Sequence, residues 1–194
     1  MTTLPAAQKK RFPRAAAIEV AKEICGALRF VCLPARLMVC GSLRRHKEMV
    51  GDVEIVYVPK FADRPEGLFD TVAEDQSEAM LGKLRTTGVL APRPNVNGHF
   101  TWGKQNKLAV HVASGIPVDL FSTTDQNWHM TVVIRTGPKE MNLRLIDAAK
   151  HHGLNLHAYG VYTRIETGEL VIPQSEREVF ERAGMQYLEP WQRR

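Results

Sequence analysis

Between Asp52 and Val58 the residues alternate: Val53, Ile55 and Tyr57 fall on one face, and Asp52, Glu54 and Val56 on the other. A period of two is a strand, and this strand buries one face while the other carries two carboxylates roughly 6.6 Å apart along the chain. Around it lie Leu37–Cys40, a short apolar strand closed by Gly41-Ser42, and two further strands, Leu108–Ala113 and Pro117–Phe121, which flank Ser114-Gly115 as in a hairpin. Helices are expected over Arg14–Leu28, behind Pro13, and over about Thr71–Thr87. Strands joined partly by helices and partly by a tight hairpin make a mixed sheet, hence an α/β or α+β domain.

From Ser122-Thr-Thr-Asp125 the pattern changes. Pro138–His152 reads as a helix stopped by Gly153. Tyr159–Ile165 and Leu170–Ile172 form a second hairpin around Thr167-Gly168, and Ser175-Glu-Arg-Glu178 opens a short helix with a capping box. The expected division is 1–124 and 125–194. Uncharged runs such as Phe30–Ala35 and Leu37–Leu43 fall far short of the roughly 18 residues a membrane span needs. The segment Met1–Arg14 carries Lys9, Lys10, Arg11 and Arg14 with no apolar stretch behind them, so no export signal is expected. Cys25, Cys32 and Cys40 have no C-x-x-C spacing, which argues against a disulfide framework or a zinc site and for a reducing cytosol.

The net charge of +5 has an address: residues 1–60 hold 11 Lys/Arg against 5 acids, whereas the remaining two thirds are close to neutral. That first third contains the segment richest in chemistry, Cys40–Val56. A helix start exposes unpaired N–H groups and partial positive charge, which disfavours cations, yet Arg44, Arg45 and Lys47 crowd this one. An anion such as a triphosphate makes the arrangement favourable, with Gly41 allowing close backbone approach and Ser42 donating a hydrogen bond. The Asp52-x-Glu54 pair suits a hard divalent cation, and Asp119 supplies a third carboxylate if its strand pairs beside Asp52–Val58. Three carboxylates beside a phosphate-gripping turn make a two-metal phosphoryl-transfer site.

These residues resemble those of a known family. Gly41-Ser42, Arg44-Arg45 and Gly51-Asp52-x-Glu54 are similar to the G-S-x-R-R…G-D-x-D signature of the family X (beta-type) DNA polymerases, within the nucleotidyltransferase superfamily. Arg11-Phe-Pro-Arg14 is similar to the family's R-x-P-R entry to the palm, Pro117-Val-Asp119 to its third catalytic aspartate, and Thr136-Gly137…Asn142 to the thumb segment that holds the nucleotide. Tyr159-Gly160, Gly168-Glu169 and Tyr187-Leu-Glu-Pro190 resemble its terminal segments.

The resemblance implies the α+β (mixed α/β) class, with a catalytic nucleotidyltransferase palm built on a mixed, largely antiparallel sheet at 1–124 and a small α/β thumb at 125–194. It implies two ions, Mg2+ or Mn2+, on Asp52, Glu54 and Asp119. The triphosphate falls to Gly41, Ser42, Arg45 and Arg11, with Thr136, Gly137 and Asn142 at the nucleotide. It further implies a monomer with dNTP and a DNA gap, nick or primer end as partners, in the cytoplasm, or a host's cytoplasm for a viral or phage protein. About ten residues precede the palm, which implies no lyase domain or fingers, as in the smallest viral members. The rival readings are a template-independent transferase acting on RNA, protein or a small molecule, and a catalytically inactive DNA-binding relative.

Two departures carry expectations. Glu54 stands where the family has Asp, so manganese is expected to serve better relative to magnesium than usual. Ile134-Arg135 replaces two aromatics that help exclude ribose, so ribonucleotides are expected to be accepted comparatively well. Lys104, Lys107 and Arg144 are weaker candidates for DNA phosphates. His46, His151, His152, Trp102, Trp128 and Trp191 read first as solvated, capping or packing residues.

Overall fold

The computed structural model describes residues 10–66 and 70–193, and Lys9 lies outside them. In chain order the elements are β1 (Phe12–Pro13), α1 (Arg14–Leu28), β2 (Cys32–Val39), α2 (Gly41–Arg44), β3 (Met49–Val50), β4 (Val53–Pro59), β5 (Phe61–Glu66) and β6 (Asp70–Asp75). Then come α3 (Gln76–Thr86), β7 (Leu90–Pro92), β8 (Asn106–His111), β9 (Ile116–Ser122), α4 (Trp128–Thr136) and α5 (Lys139–His151). The chain closes with β10 (Leu154–Leu156), β11 (Tyr162–Arg164), β12 (Leu170–Val171), α6 (Glu176–Arg182) and a 3-10 turn, Pro190–Gln192.

The central sheet has the order β2-β4-β9-β8-β7. Its β4–β9 pair is parallel and the other three are antiparallel, so the sheet is mixed and largely antiparallel, and the fold is α+β. On one side α1 lays Ala17, Val20, Ala21, Ile24 and Leu28 against Val53, Ile55 and Tyr57 of β4, in one core cluster. The other face of β4 is not a solvated acidic face. Val56 and Val58 are buried there with Cys40, Phe121, Trp128 and Val132. A second large cluster gathers Met130, Val133, Met141, Leu145, Tyr162 and Phe180.

Helix α4 joins the two clusters, sending Trp128 and Val132 to the sheet and Met130 and Val133 to the second core. The sequence reading contained no helix here. Thr131-Val132-Val133-Ile134 is a β-branched run of low helix preference, and burial on two sides overrides it.

The helix expected over Thr71–Thr87 begins only at Gln76. Asp75 caps it by accepting from the Ser77 N–H at 2.8 Å, and the residues before it form β6, paired in register with β5. At the other end of the chain the Ser175 hydroxyl accepts from the Glu178 N–H at 3.0 Å as expected. The Glu178 carboxylate, however, accepts from the Gln174 N–H rather than closing the box on Ser175. Strand β10 was also absent from the sequence reading; it is three residues long and is defined by its pairing with β11. No helix among the described residues is long and apolar enough to cross a membrane.

Candidate active site

Parallel pairing of β4 with β9 makes Glu54 and Asp119 direct cross-strand partners, at the ordinary strand spacing of about 4.8 Å. Asp52 lies just ahead of β4. Burial pushes the Glu54 carboxyl up to about 7, with the charges of Asp52 and Asp119 adding to the rise and Arg135 and Arg45 opposing it. Glu54 with the carboxylates of Asp52 and Asp119 offers the oxygen donors a hard dication takes, and such an ion would relieve the repulsion that Glu54 feels. As they stand they are not drawn to a common point: among the described residues no three metal-binding side chains are clustered, and Asp119 accepts a hydrogen bond from Arg93 Nη2.

The Gly41–Arg45 turn sits directly over Glu54. The Cys40 N–H donates to the Glu54 carbonyl at 2.7 Å, which pins the chain where it leaves β2. Gly41 then takes φ of +63°, and a Cβ there would lie 2.9 Å from Cδ of Glu54. Only glycine accepts both the left-handed backbone and the carboxylate against it. Ser42 follows in α2, half-buried.

Arg44, the last residue of α2, and Arg45, just past it, both reach Thr136. Arg44 donates to Thr136 Oγ1 at 2.8 Å and to both oxygens of Glu176, at 2.9 and 2.5 Å. Arg45 donates to the Thr136 carbonyl, and its Nε is buried with no hydrogen-bond partner among the described residues. The structure therefore joins the Gly41–Arg45 turn to Thr136-Gly137, 91 residues on. Asn142 reaches the same place: its Nδ2 donates to the Ile134 carbonyl at 2.8 Å while its Oδ1 is buried without a partner among the described residues. Arg11 is exposed and donates to the Met49 carbonyl at 3.3 Å, beside the Gly51-Asp52 approach to β4.

The weaker candidates divide. Lys104 and Arg144 are exposed. Lys107 is 1% exposed, and its ammonium donates to Glu78 at 2.6 Å and to the Gly103 carbonyl at 2.8 Å, so it faces the interior rather than a nucleic acid. The strand alternation of β8 places it inward and makes its stem part of the core.

Tertiary contacts add Arg93 and Glu176 to the site and give Arg135, expected only as a departure beside Thr136, a partner in Glu54. Arg93, just past β7, reaches Asp119 across β8. Arg135 lies between the rings of Phe121, at 3.7 Å, and Tyr159, at 4.7 Å, and its charge favours ionised Glu54. Glu176, which the sequence shows only as the first residue of a helix, is shared by Arg44 and Arg193. No local pattern marks Arg93 or Glu176, because the partners stand far apart in sequence. His46, at the end of the turn, stacks on Trp191 with ring centroids 5.6 Å apart.

Comparison with known proteins gives two similarities. The DNA polymerase beta thumb family matches residues 131–194. Over 185 residues the chain is 27% identical to the DNA polymerase/3′-5′ exonuclease PolX of Bacillus subtilis (strain 168), a match that takes in 94% of this chain. The chain spans 28% of the length of that curated relative. By these two matches the chain is similar to the DNA polymerase beta thumb over residues 131–194 and to PolX over most of its own length.

Proposed function

We propose that the chain is a DNA-directed nucleotidyltransferase that adds nucleotides from dNTPs to a DNA 3′ end, of gap-filling or repair type. The carrying observation is the register that pairs Glu54 with Asp119 directly beneath a Gly41–Arg45 turn whose arginine is joined to Thr136. The palm is 1–124 and the thumb 125–194, a division supported by the two large core clusters on either side of α4.

Asp52, Glu54 and Asp119 would hold two divalent ions, Mg2+ or Mn2+, whose charge would favour the attacking 3′ oxygen and the leaving pyrophosphate. Gly41 and Ser42 present backbone and hydroxyl donors to the triphosphate. Arg45 keeps its fork against Thr136 and offers its remaining N–H groups to the same anion, with Arg11 at the edge. Asn142, whose Oδ1 lacks a partner among the described residues, faces the nucleotide from the thumb. In-line attack on the α-phosphate then follows from positioning and charge stabilisation, the two effects on which phosphoryl transfer depends.

The test is a labelled gapped duplex incubated with each dNTP and each NTP singly, with magnesium or manganese. Templated single-nucleotide incorporation is expected, with manganese relatively favoured and ribonucleotides tolerated. Asp119→Ala should lower incorporation roughly a thousandfold or more, the scale of losing a preorganised charge-stabilising group, while DNA affinity stays within a few-fold. Untemplated addition would favour a template-independent transferase. No incorporation in the unaltered chain with either metal would make it an inactive DNA-binding relative.

A further inference from the structure

Arg93 has no part in the sequence motif, yet its guanidinium is held by two backbone carbonyls and the Asp119 carboxylate. The Arg93 N–H bonds the Leu108 carbonyl at 3.0 Å, which fixes the backbone beside β8. Its Nε donates to the Ala109 carbonyl at 3.1 Å and its Nη1 to the Pro94 carbonyl at 3.3 Å. The remaining nitrogen, Nη2, donates to Asp119 Oδ1. The Arg93 side chain is 25% exposed and that of Asp119 13%, so the contact is largely shielded from water. Pro117 and Phe121, the neighbours of Asp119 on the same side of β9, bring no charge. The cation therefore arrives from the β7 end of the sheet, across β8.

We infer that Arg93 is a positioning residue that holds the Asp119 carboxylate and competes with a divalent cation for it, so that the cation-free site is kept closed at Asp119. The inference rests on the proposed reading of Asp119 as a cation ligand. Two features make the competition effective. A guanidinium stays charged at every working pH, so it is not switched off by deprotonation. Two backbone carbonyls hold the fork in place, so when Asp119 turns to an ion the guanidinium stays nearby and repels it rather than swinging into solvent. A neutral residue at position 93 removes the positive charge, and with it the strong rival for Asp119 and the repulsion of the ion.

The experiment is a titration of the full chain with Mn2+ alone, without nucleotide or DNA, reading free ion by electron paramagnetic resonance. It compares the unaltered chain, Arg93→Gln, Arg93→Lys, Asp119→Asn and the Arg93→Gln/Asp119→Asn double variant, each checked for native circular dichroism. Arg93→Gln should bind Mn2+ about tenfold tighter, the effect of removing one nearby like charge in a partly shielded site. Arg93→Lys, which keeps the charge, should stay near the unaltered affinity, and the double variant should lose the gain.

A merely structural role for Arg93 predicts unchanged or weaker binding in folded Arg93→Gln, and that result overturns the inference. So does a gain that survives Asp119→Asn. Mn2+ binding that depends on Asp119 but not on residue 93 defeats this inference alone. Absence of Mn2+ binding in every variant defeats the reading of the site as well.

Discussion

Glu176→Ala is expected to lower the stability of the chain by about 3–5 kcal/mol, the cost of removing one partner from a buried ion pair. The carboxylate, 15% exposed, faces Arg44 at 18% and Arg193 at 0%. Its two oxygens take three hydrogen bonds from the two guanidiniums, at 2.5, 2.9 and 3.1 Å. Arg193 is further enclosed by the rings of Phe180 and Tyr187, at 4.9 and 5.6 Å, and cannot move to water without opening that core. Alanine leaves two buried cations facing each other with nothing between them.

The pH dependence follows the same contact. Burial alone would raise the Glu176 carboxyl, but the hydrogen bonds and charge of Arg44, then those of Arg193, outweigh it and hold it below the usual carboxylate range. A depressed pKa contributes stability that is present above the unfolded value and lost as pH falls through the folded one. Urea midpoints at pH 7 and in the acid range read both effects. The variant should be much weaker than the parent at pH 7, and the gap should narrow on acidification. A loss under about 1 kcal/mol at pH 7 would mean the pair is effectively solvated.

Gly41→Ala is expected to cost about 1–3 kcal/mol of stability from the left-handed backbone and crowding, and to reduce incorporation about a hundredfold through misplacement of Glu54. The two consequences come from one atom. A methyl group at position 41 needs the space of the Glu54 carboxylate, and the turn cannot withdraw because the Cys40 N–H is bonded to the Glu54 carbonyl. Gly88→Ala is the matched control. It carries the same backbone cost, with φ of +75°, but its Cβ would meet nothing within 4 Å. Comparable stability loss in both variants, with activity lost only in Gly41→Ala, is the expected pattern. Full incorporation by Gly41→Ala would show that Glu54 has no fixed place in the reaction.

Much of the fold was legible because local chemistry marks its own boundaries. Pro13 before Arg14–Leu28 and Gly153 after Lys139–His151 punctuate helices that form where the apolar stripes predict. The β8–β9 hairpin follows from Ser114-Gly115 between two alternating runs. What was not legible lacked such marks. In α4 a β-branched run is helical because both its sides are buried, and in β6 a segment read as helix is a strand because it pairs with β5. Propensity is a matter of tenths of a kcal/mol per residue, and burial or pairing readily outweighs it.

The candidate site divides along the same line. The residues alone determine which chemistry is available: Gly41 and Ser42, the paired arginines, and carboxylates at positions 52, 54 and 119 are types that act together on a phosphate and a hard cation. Only the tertiary structure decides how each is committed. It brings Glu54 against Asp119, sends Arg44 to Glu176 and Arg45 to Thr136, turns Lys107 inward, and introduces Arg93 and Arg135 to the carboxylates. The reason is physical. A side chain's identity sets what it can donate or accept, whereas its partner and its degree of burial come from strands and helices that are distant in sequence and adjacent only after packing.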